Sequence, residues 1–401
     1  MPIDPFAPAQ LGPITIRNRF IKAATFEGMS EKNKVTDRII DYHMAVVDGG
    51  VGMTTLAYCA VSEDGQGAPN EIIVTSDALD GLTEFAARVH ATGASASIQI
   101  GHAGPVGITS GGGWAPSRIF APQGLRFTKA ADEATIRRII DEFGDAAEVA
   151  VDAGFDAIEL HFGHGYFPSS FMSPCMNRRT DGWGGTLEKR ARVAREIAQL
   201  VRDRVTDRIA VIAKLNMADG VDGGLWLDES VQIARLLEAD GTLDALMLTG
   251  GSSFENPMYT FRGAAPIAEI AEVFPQPMKT GFKLFGKRFL PEYPFDEAYF
   301  LPYARQFRDA LSMPLILLGG INRFDTAQQA LDEGFAFVAM ARALLREPDL
   351  LNHWKAGDHH EGICIHCNKC MPSIYEGTHC VLVAPSIRPG HRASSDNARA
   401  T

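Results

Sequence analysis

Short apolar runs of strand length alternate with amphipathic stretches along most of this 401-residue chain. The runs that favour strands are residues 19–24, 52–58, 95–101, 155–161, 209–215, 245–249, 314–318 and 335–340. Apolar side chains recur with helical spacing between them, most clearly over residues 133–152. Parallel strands need a long crossover connection, usually a helix, whereas antiparallel strands do not. Eight strands with intervening helices therefore predict the α/β class and a (β/α)8 barrel, the TIM barrel.

Segments outside the eight strands predict the rest of the organisation. A short N-terminal hairpin over residues 9–16 precedes the first strand, and residues 114–130 predict a loop. The Pro-rich, aromatic insertion 254–303 is typical of a lid or of a contact between subunits of a homo-oligomer. We expect the barrel to span residues 1–358 and a Cys-rich C-terminal extension to span residues 359–387. The polar tail at residues 388–401 is predicted to be disordered.

Composition and charge narrow the class of protein. The formal net charge of −11 disfavours nucleic acid and anionic membranes as main partners. No apolar run approaches the ~18 residues that a membrane-spanning helix needs. The first residues also lack the basic and apolar regions of a signal peptide. We therefore expect a cytoplasmic protein that acts on a small-molecule substrate.

Polar side chains follow several predicted strands at their C-terminal ends, where a barrel builds its active site. They are Gln99 after the third strand, His161, His164 and Tyr166 after the fourth, and Lys214 at the end of the fifth. Two histidines three positions apart cannot share one face of a straight strand, since side chains alternate. A turn at Gly163 must redirect the second histidine if both are to contact one atom.

Glycines and an arginine follow the last two strands. Gly319 and Gly320 come after the seventh strand, and Ala341 and Arg342 come after the eighth. The loops after these two strands form the usual phosphate site of a TIM barrel. Glycine lets backbone N–H groups approach a phosphate, and arginine can pair with it through two hydrogen bonds. The chain has no G-x-G-x-x-G after a strand, so a Rossmann domain is not supported.

Taken together, these segments resemble the Old Yellow Enzyme family of FMN-dependent NAD(P)H:flavin oxidoreductases. The likeness covers about residues 5–355, and the stretch from the fourth strand to Tyr166 is highly specific. The matching segments are LGPITIRNRF at 11–20, QIGHAG at 99–104, FDAIELHFGHGY at 155–166, LGGI at 318–321 and MARAL at 340–344. The resemblance implies an enzyme that takes hydride from NAD(P)H through FMN. It would reduce an activated C=C bond of an enone, enal or enoyl thioester.

The resemblance also implies which residues bind the cofactor. Lys214 would lie near N1 and O2 of the flavin, where positive charge stabilises the reduced ring. The residues expected to line the isoalloxazine are Ala23, Ala24, Thr25, Ala57 and Gln99. The residues expected to hold the phosphate are Gly319, Gly320, Ala341 and Arg342.

Three residues would act on the substrate if the resemblance holds. His161 and His164 would donate hydrogen bonds to a substrate carbonyl oxygen, in effect an oxyanion hole. Tyr166 would deliver the proton to Cα, while the flavin supplies hydride to Cβ.

Four of the six cysteines lie close together in the C-terminal extension. Cys364, Cys367 and Cys370 form a C-x2-C-x2-C run, and Cys380 follows after nine residues. Clustering of this kind in a chain without an export signal indicates metal rather than disulfides. The segment resembles the iron–sulfur segment of the dienoyl-CoA reductase branch of the same family, which implies a [4Fe–4S] cluster. Thiolate tetrads also suit zinc, and an empty relic is the third alternative.

Two other functions fit the same pattern. In the dienoyl-CoA reductase branch, electrons reach the cluster from a second, FAD- and NAD(P)H-binding domain, which has no counterpart in this sequence. An electron-transfer flavoprotein would instead receive electrons from a donor flavoprotein through the four cysteines. A barrel lyase or aldolase without flavin would use Lys214 as a Schiff-base nucleophile in an apolar pocket.

Overall fold

The computed structural model describes residues 2–108, 113–121 and 126–390. Eight parallel strands close into a barrel, because the first strand pairs with both the second and the eighth. The barrel strands are β1 Phe20–Lys22, β2 Met53–Ala60, β3 Ser95–Gly101, β4 Ala157–Phe162, β5 Ala210–Asn216, β6 Ala245–Thr249, β7 Leu315–Leu318 and β8 Phe337–Met340. The predicted TIM barrel is confirmed, with every strand end within two residues of its predicted position.

A helix follows each barrel strand and packs against the outside of the barrel. Three of the helices begin at a side chain that accepts a hydrogen bond from the first turn: Thr36, Asp132 and Thr186. The helices are α1 Asp37–Asp48, α2 Leu79–His90, α3 Glu133–Asp152, α4 Leu187–Val205, α5 Leu227–Asp240, α6 Leu301–Ala310, α7 Phe324–Asp332 and α8 Leu350–Lys355. Among the described helices, none is long and apolar enough to cross a membrane.

Shorter elements lie in the connections. The further helices are Phe167–Met172, Pro257–Phe261, Ile267–Glu272, Met278–Phe289 and Arg342–Arg346. The 3-10 turns are Glu63–Gly65, Ser76–Ala78, Gly104–Val106, Pro372–Tyr375 and Pro385–Ile387. The short strand Ile72–Ile73 pairs in parallel with the end of β2.

The predicted N-terminal hairpin closes the bottom of the barrel. Strand Ala9–Leu11 pairs antiparallel with Ile14–Ile16. The side chains of Leu11 and Ile16 are fully buried in one apolar cluster with inward-facing barrel residues such as Met247. This end of the barrel is therefore filled by hydrocarbon, and polar chemistry is confined to the opposite end.

The loop predicted at residues 114–130 contains short strands, and insertion 254–303 contains helices that the sequence did not indicate. Residues 114–130 contain two-residue strands, which pair as Trp114–Ala115 with Lys129–Ala130 and as Phe120–Ala121 with Arg126–Phe127. Pairs this short carry no periodic signal in the sequence. Insertion 254–303 contains three of the short helices, one of which has a proline at its first position, where the missing N–H costs nothing.

The Cys-rich extension packs on the C-terminal end of the barrel. The backbone N–H of Thr378 donates to the carbonyl of Glu27, just beyond β1, and its hydroxyl donates to the carbonyl of Phe26. The side chain of Asn322, just beyond β7, donates to the carbonyl of Gly362. The extension therefore lies at the same end of the barrel as the strand-end polar groups. The predicted disorder at 388–401 falls mostly on residues 391–401, outside the described residues.

Candidate active site

His161 and His164 lie side by side at the end of β4. Nε2 of His161 is 3.3 Å from Nδ1 of His164. The backbone turns at His164 and Gly165, which have left-handed φ angles of 60° and 76°. The side-chain carbonyl of Asn216 accepts the His164 backbone N–H at 3.0 Å and fixes this turn. The turn was predicted at Gly163 and lies one residue later, with the predicted effect that both imidazoles reach one place.

Burial keeps both imidazoles neutral at neutral pH. It lowers the pKa of His164 to about 3, with a smaller contribution from the charge of Lys214. It also lowers the pKa of His161 well below its usual value. Nε2 of His164 lies 3.0 Å from the hydroxyl of Thr249, whereas Nδ1 of His161 has no hydrogen-bond partner among the described residues. A buried ring nitrogen without a partner marks a place where a ligand atom is expected.

Tyr166 packs against the histidine pair. Its ring centroid is 4.5 Å from that of His161 and 5.2 Å from that of Tyr58. The Tyr58 hydroxyl donates to the carbonyl of Gly65 at 3.1 Å, which fixes the ring that Tyr166 meets edge to face. Burial, and then the charge of Glu71, raise the pKa of Tyr166 far above its usual value. The phenol therefore stays protonated and can serve as a proton donor.

A buried ion pair lies beneath this group inside the barrel. Nζ of Lys214 is 2.8 Å from Oε1 of Glu159, and Nε2 of Gln99 donates to the same oxygen at 2.5 Å. All three side chains are almost completely buried, and Oε2 of Glu159 has no partner among the described residues. The sequence analysis assigned no role to Glu159. The sequence did contain an indication of its role, because a charged residue in the middle of an apolar strand must be paired.

The ends of β1 and β2 present small side chains at the barrel mouth. Ala23 and Ala57 are buried, and Ala24 packs in one cluster with Ala57 and Tyr166. The Thr25 hydroxyl donates to the carbonyl of Ala23 at 3.1 Å and so turns back on its own strand. Methyl-sized side chains project little from these strand ends, which suits the binding of a flat ring. Buried Lys214 lies in the same barrel mouth as Oε2 of Glu159, which is unpaired within the described part of the chain, and both fit the polar edge of a flavin.

The residues predicted to hold a phosphate meet at the ends of β7 and β8. Gly319 and Gly320 have φ angles of 115° and 78°, in the left-handed region. A Cβ atom on either would lie 2.5 Å from a ring carbon, of Phe300 for the first and of Tyr299 for the second, so only glycine fits. Ala341 begins the short helix after β8. Two tightly packed turns therefore lie where a phosphate was expected.

Arg342 connects this region with the Cys-rich extension. Its Nη1 donates to the carbonyl of Phe261 at 2.6 Å, to the carbonyl of Arg262 at 2.9 Å and to Oδ1 of Asn368 at 2.5 Å. Asn368 lies between Cys367 and Cys370 in the chain. The guanidinium predicted to bind phosphate thus also holds the loop that carries the cysteines.

The four C-terminal cysteines line one small cavity of about 20 Å³, together with Arg342 and Arg346. Burial raises the pKa of the Cys370 thiol to about 12, so the free thiol is protonated at neutral pH, and a bound metal ion would favour the thiolate. Groups of three possible metal ligands within 4.8 Å of one another occur elsewhere in the described chain, but none includes these cysteines. The four cysteines thus line one space, although no three of their sulfurs lie within 4.8 Å of one another.

The structure brings the predicted residues together in three groups. The substrate-facing group is His161, His164 and Tyr166, the phosphate group is Gly319, Gly320, Ala341 and Arg342, and the sulfur group is Cys364, Cys367, Cys370 and Cys380. Between the first two lie Lys214 and the predicted ring-lining residues. Besides Glu159, the sequence analysis missed Thr249, whose contact with His164 depends on the pairing of β4, β5 and β6.

Comparisons with known proteins agree with this geometry. Residues 4–247 match the model of the NADH:flavin oxidoreductase / NADH oxidase family. The chain is 53% identical over 380 residues to the 4,4'-dithiodibutanoate disulfide reductase of Rhodococcus erythropolis, covering 94% of both chains. It is 30% identical over 374 residues to the NADH oxidase of Thermoanaerobacter brockii, covering 90% of this chain and only 52% of that protein.

Among solved structures, that of 2-naphthoyl-CoA reductase with 2-naphthoyl-CoA aligns with a TM-score of 0.79 at 24% identity. The alignment covers 94% of this chain and 56% of that one. The likeness at this identity shows the shared barrel fold. This chain therefore spans about half the length of the NADH oxidase and of this reductase, and nearly the whole of the disulfide reductase. The chain belongs to the NADH:flavin oxidoreductase / NADH oxidase family, the Old Yellow Enzyme family of FMN-dependent oxidoreductases.

Proposed function

We propose that this oxidoreductase reduces an activated C=C bond of an enone, enal or enoyl thioester with electrons from NAD(P)H. One observation carries the proposal: two neutral imidazoles meet at 3.3 Å next to a protonated tyrosine. Neutral imidazoles can each donate one N–H without adding charge, and a tyrosine can supply a proton. Reduction of a carbonyl-activated double bond requires both functions, hydrogen bonds at the carbonyl oxygen and a proton at Cα.

FMN would lie over the small strand ends. Lys214 would face its polar edge, as would Gln99, and bound FMN supplies the hydride chemistry that no side chain can perform. The residues proposed to line the ring are Ala23, Ala24, Thr25 and Ala57. The residues proposed to hold the phosphate are Gly319, Gly320, Ala341 and Arg342.

The chain's own residues would handle the proton and the oxygen. His161 and His164 would bind the carbonyl oxygen through N–H groups and stabilise the negative charge that develops there. Tyr166, whose pKa is raised by burial, would hold its proton until Cα becomes basic enough to take it. Because the His161 ring is almost completely buried, water competes poorly for these hydrogen bonds.

The test is an anaerobic titration of the purified protein with FMN, NADH and NADPH. We expect yellow protein whose visible absorbance bleaches with a nicotinamide and returns on addition of an enone. The variant His161→Ala should retain flavin and bleaching but lose most of the reoxidation by enone. Colourless protein that takes up no FMN would contradict the proposal.

Reduction of an organic disulfide is a second candidate for the same site. It is favoured by the 53% identity with a disulfide reductase over nearly the full length of both chains. Hydride would add to one sulfur as the S–S bond breaks, and the departing thiolate would take a proton from Tyr166. The discriminating measurement compares kcat/KM for a dicarboxylate disulfide with that for an enone. A kcat/KM that is more than tenfold higher for one of the two compounds identifies the preferred substrate class.

We also propose that the four cysteines hold a [4Fe–4S] cluster rather than zinc. Zinc at about 2.3 Å from each thiolate would bring the sulfurs to about 3.8 Å from one another. The described cysteines form no group with three sulfurs within 4.8 Å, whereas a cubane cluster needs the wider spacing. Iron, sulfide and zinc analysis of anaerobically purified protein tests this. One zinc and no iron would overturn it.

Electron transfer from a donor flavoprotein through the cysteines remains the alternative route to the flavin. It predicts that NAD(P)H alone bleaches the protein slowly and that a reduced partner does so rapidly. The flavin-free lyase has less support, because Lys214 is engaged with Glu159 at 2.8 Å and the chain belongs to a flavin family. A paired, buried lysine is a poor Schiff-base nucleophile.

A further inference from the structure

Glu27 lies buried just beyond β1 and belongs to no group described above. Its Oε1 is 2.8 Å from Nε2 of His43 and 3.5 Å from Nζ of Lys22. Nδ1 of His43 in turn lies 2.7 Å from the hydroxyl of Thr54. Glu27 and Lys22 are 2% exposed, and His43 and Thr54 are completely buried. Burial of three ionisable groups in one pocket costs free energy of folding, so a functional reason for them is expected.

The carboxylate is tied directly to the proposed floor of the flavin site. The backbone N–H of Ala57 donates to both oxygens of Glu27, at 3.1 and 3.3 Å. The backbone N–H of Glu27 donates back to the carbonyl of Ala57 at 3.3 Å. Because Ala57 lines the proposed ring site, one peptide group separates that site from the charge on Glu27.

Other titratable groups face this pocket from every surrounding element. They are Lys22 on β1, Tyr42 and His43 on α1, Cys59 on β2, Glu159 on β4, Lys214 on β5 and, beside Tyr42, Cys370 of the extension. Lys22 interacts with Lys214 and Glu159 as well as with Glu27, so it connects the two buried ion pairs. Burial raises the pKa of Tyr42 and Cys59 and keeps both uncharged. Burial, and then the charge of Lys22, lower the pKa of His43 well below its usual value, so this imidazole is neutral as well. Glu27 is therefore the titrating group, and His43 is its neutral hydrogen-bond partner.

We propose that Glu27, with His43 and Lys22, is the proton site that compensates the charge added to the flavin site during reduction. Hydride from NAD(P)H brings two electrons and one proton, and hence one negative charge, into a buried space. Glu27 would then take one proton from solvent, so that the net charge around Lys22 is unchanged. It would release this proton when hydride and the Tyr166 proton pass to the substrate and Tyr166 recovers its own from solvent.

Two features support this assignment over a purely structural role. Burial raises the pKa of Glu27 to about 7, so the carboxyl is balanced between its two protonation states at neutral pH. A structural ion pair would instead keep the carboxylate fully charged. The position next to Ala57 also places the site where added negative charge acts on it most strongly. The inference rests on the proposed flavin site.

The experiment is a potentiometric titration of the flavin absorbance of the full protein at several values between pH 6 and 9. In the wild-type protein, the midpoint potential of the flavin should fall as pH rises, and the slope should include one proton more than the flavin itself takes up. In Glu27→Gln, which keeps the shape and stays neutral, we expect a shallower slope and a loss of up to one proton per flavin reduced. His43→Gln should also shift or flatten the pH dependence, and serves as the second variant if the first folds poorly.

Glu238→Gln is the matched control, because Glu238 on α5 accepts the backbone N–H groups of Ser312 and Met313, just before β7 and remote from the ring site. It should retain the wild-type slope. Unchanged slopes in both Glu27→Gln and His43→Gln, with flavin bound and reducible, would overturn the inference and leave the proposed function intact. Absence of flavin in the wild-type protein would contradict the proposed function instead.

Discussion

The hydroxyl of Thr249 at the end of β6 lies 3.0 Å from Nε2 of His164, across two strands of the barrel. A hydroxyl hydrogen given to Nε2 leaves the hydrogen of the neutral imidazole on Nδ1. That is the nitrogen that faces His161. A donating Thr249 hydroxyl thus matches the tautomer of His164 that can donate a hydrogen bond from the place where both imidazoles meet.

Replacement of Thr249 tests this relationship. Thr249→Val keeps the shape and removes the hydroxyl, so Nε2 of His164 loses its hydrogen-bond partner. We expect a loss of about 1 kcal/mol in transition-state binding, or ~5-fold in kcat/KM, with flavin content unchanged. Thr249→Ser retains the hydroxyl and should remain near the wild-type value. Equal losses in both variants would contradict the role of the hydroxyl.

Tyr166→Phe should separate the two half-reactions. Bleaching by NAD(P)H needs no proton from Tyr166 and should keep its rate in stopped-flow measurements. Reoxidation by an enone should fall roughly 10²–10⁴-fold, the usual contribution of a general acid. Tyr58→Phe is the control, because Tyr58 only fixes its neighbour through its bond to Gly65. A loss confined to the bleaching step in Tyr166→Phe would show that the tyrosine binds nicotinamide instead.

The barrel could be predicted because its inward and outward faces carry different side chains. On β4, Ala157 points into the barrel with Glu159 and His161, whereas Ile158 and Leu160 pack against the helices. Apolar runs of this kind are visible in sequence without knowledge of their partners. The helices of insertion 254–303 were missed because prolines and glycines lie at their ends and within them, and glycine lowers helix propensity.

The partners within the site could not be predicted, because they depend on strand register. Glu159 stands opposite Gln99 on β3, and His161 stands opposite Lys214 on β5. Each residue is recognisable as polar in an apolar run, but the sequence does not say which of the others it meets. The Glu159 ion pair appears only when three strands are aligned.

Thr378→Val tests whether the Cys-rich extension depends on its contact with the segment just beyond β1. The hydroxyl of this buried threonine donates to the carbonyl of Phe26 at 2.5 Å, and Val cannot replace that bond. A carbonyl left buried without a partner costs about 1–3 kcal/mol. We expect faster hydrogen exchange in residues 359–387 and lower iron content, with flavin retained. Thr378→Ser should behave as wild type, and unchanged exchange in Thr378→Val would contradict the prediction.

Glu71 should make the stability of the fold depend on pH. It is 3% exposed, and burial raises its pKa to about 8 although the N–H of Gly67 donates to it at 2.6 Å. Between the unfolded pKa of 4.5 and about 8 the folded chain binds more protons than the unfolded chain. The free energy of unfolding must therefore fall as pH rises through this range.

The neutral variant Glu71→Gln should lose that part of the pH dependence. Urea unfolding at pH 5 and at pH 8.5 should show a decline that is smaller in the variant by roughly 2–4 kcal/mol. Glu238→Gln, at the far side of the barrel, should decline as the wild-type protein does. Because Glu71 also acts on the pKa of Tyr166, the variant should leave that phenol easier to ionise, as alkaline difference spectra would show. Parallel declines in wild type and Glu71→Gln would mean that Glu71 is charged in the folded protein, stabilised by Gly67.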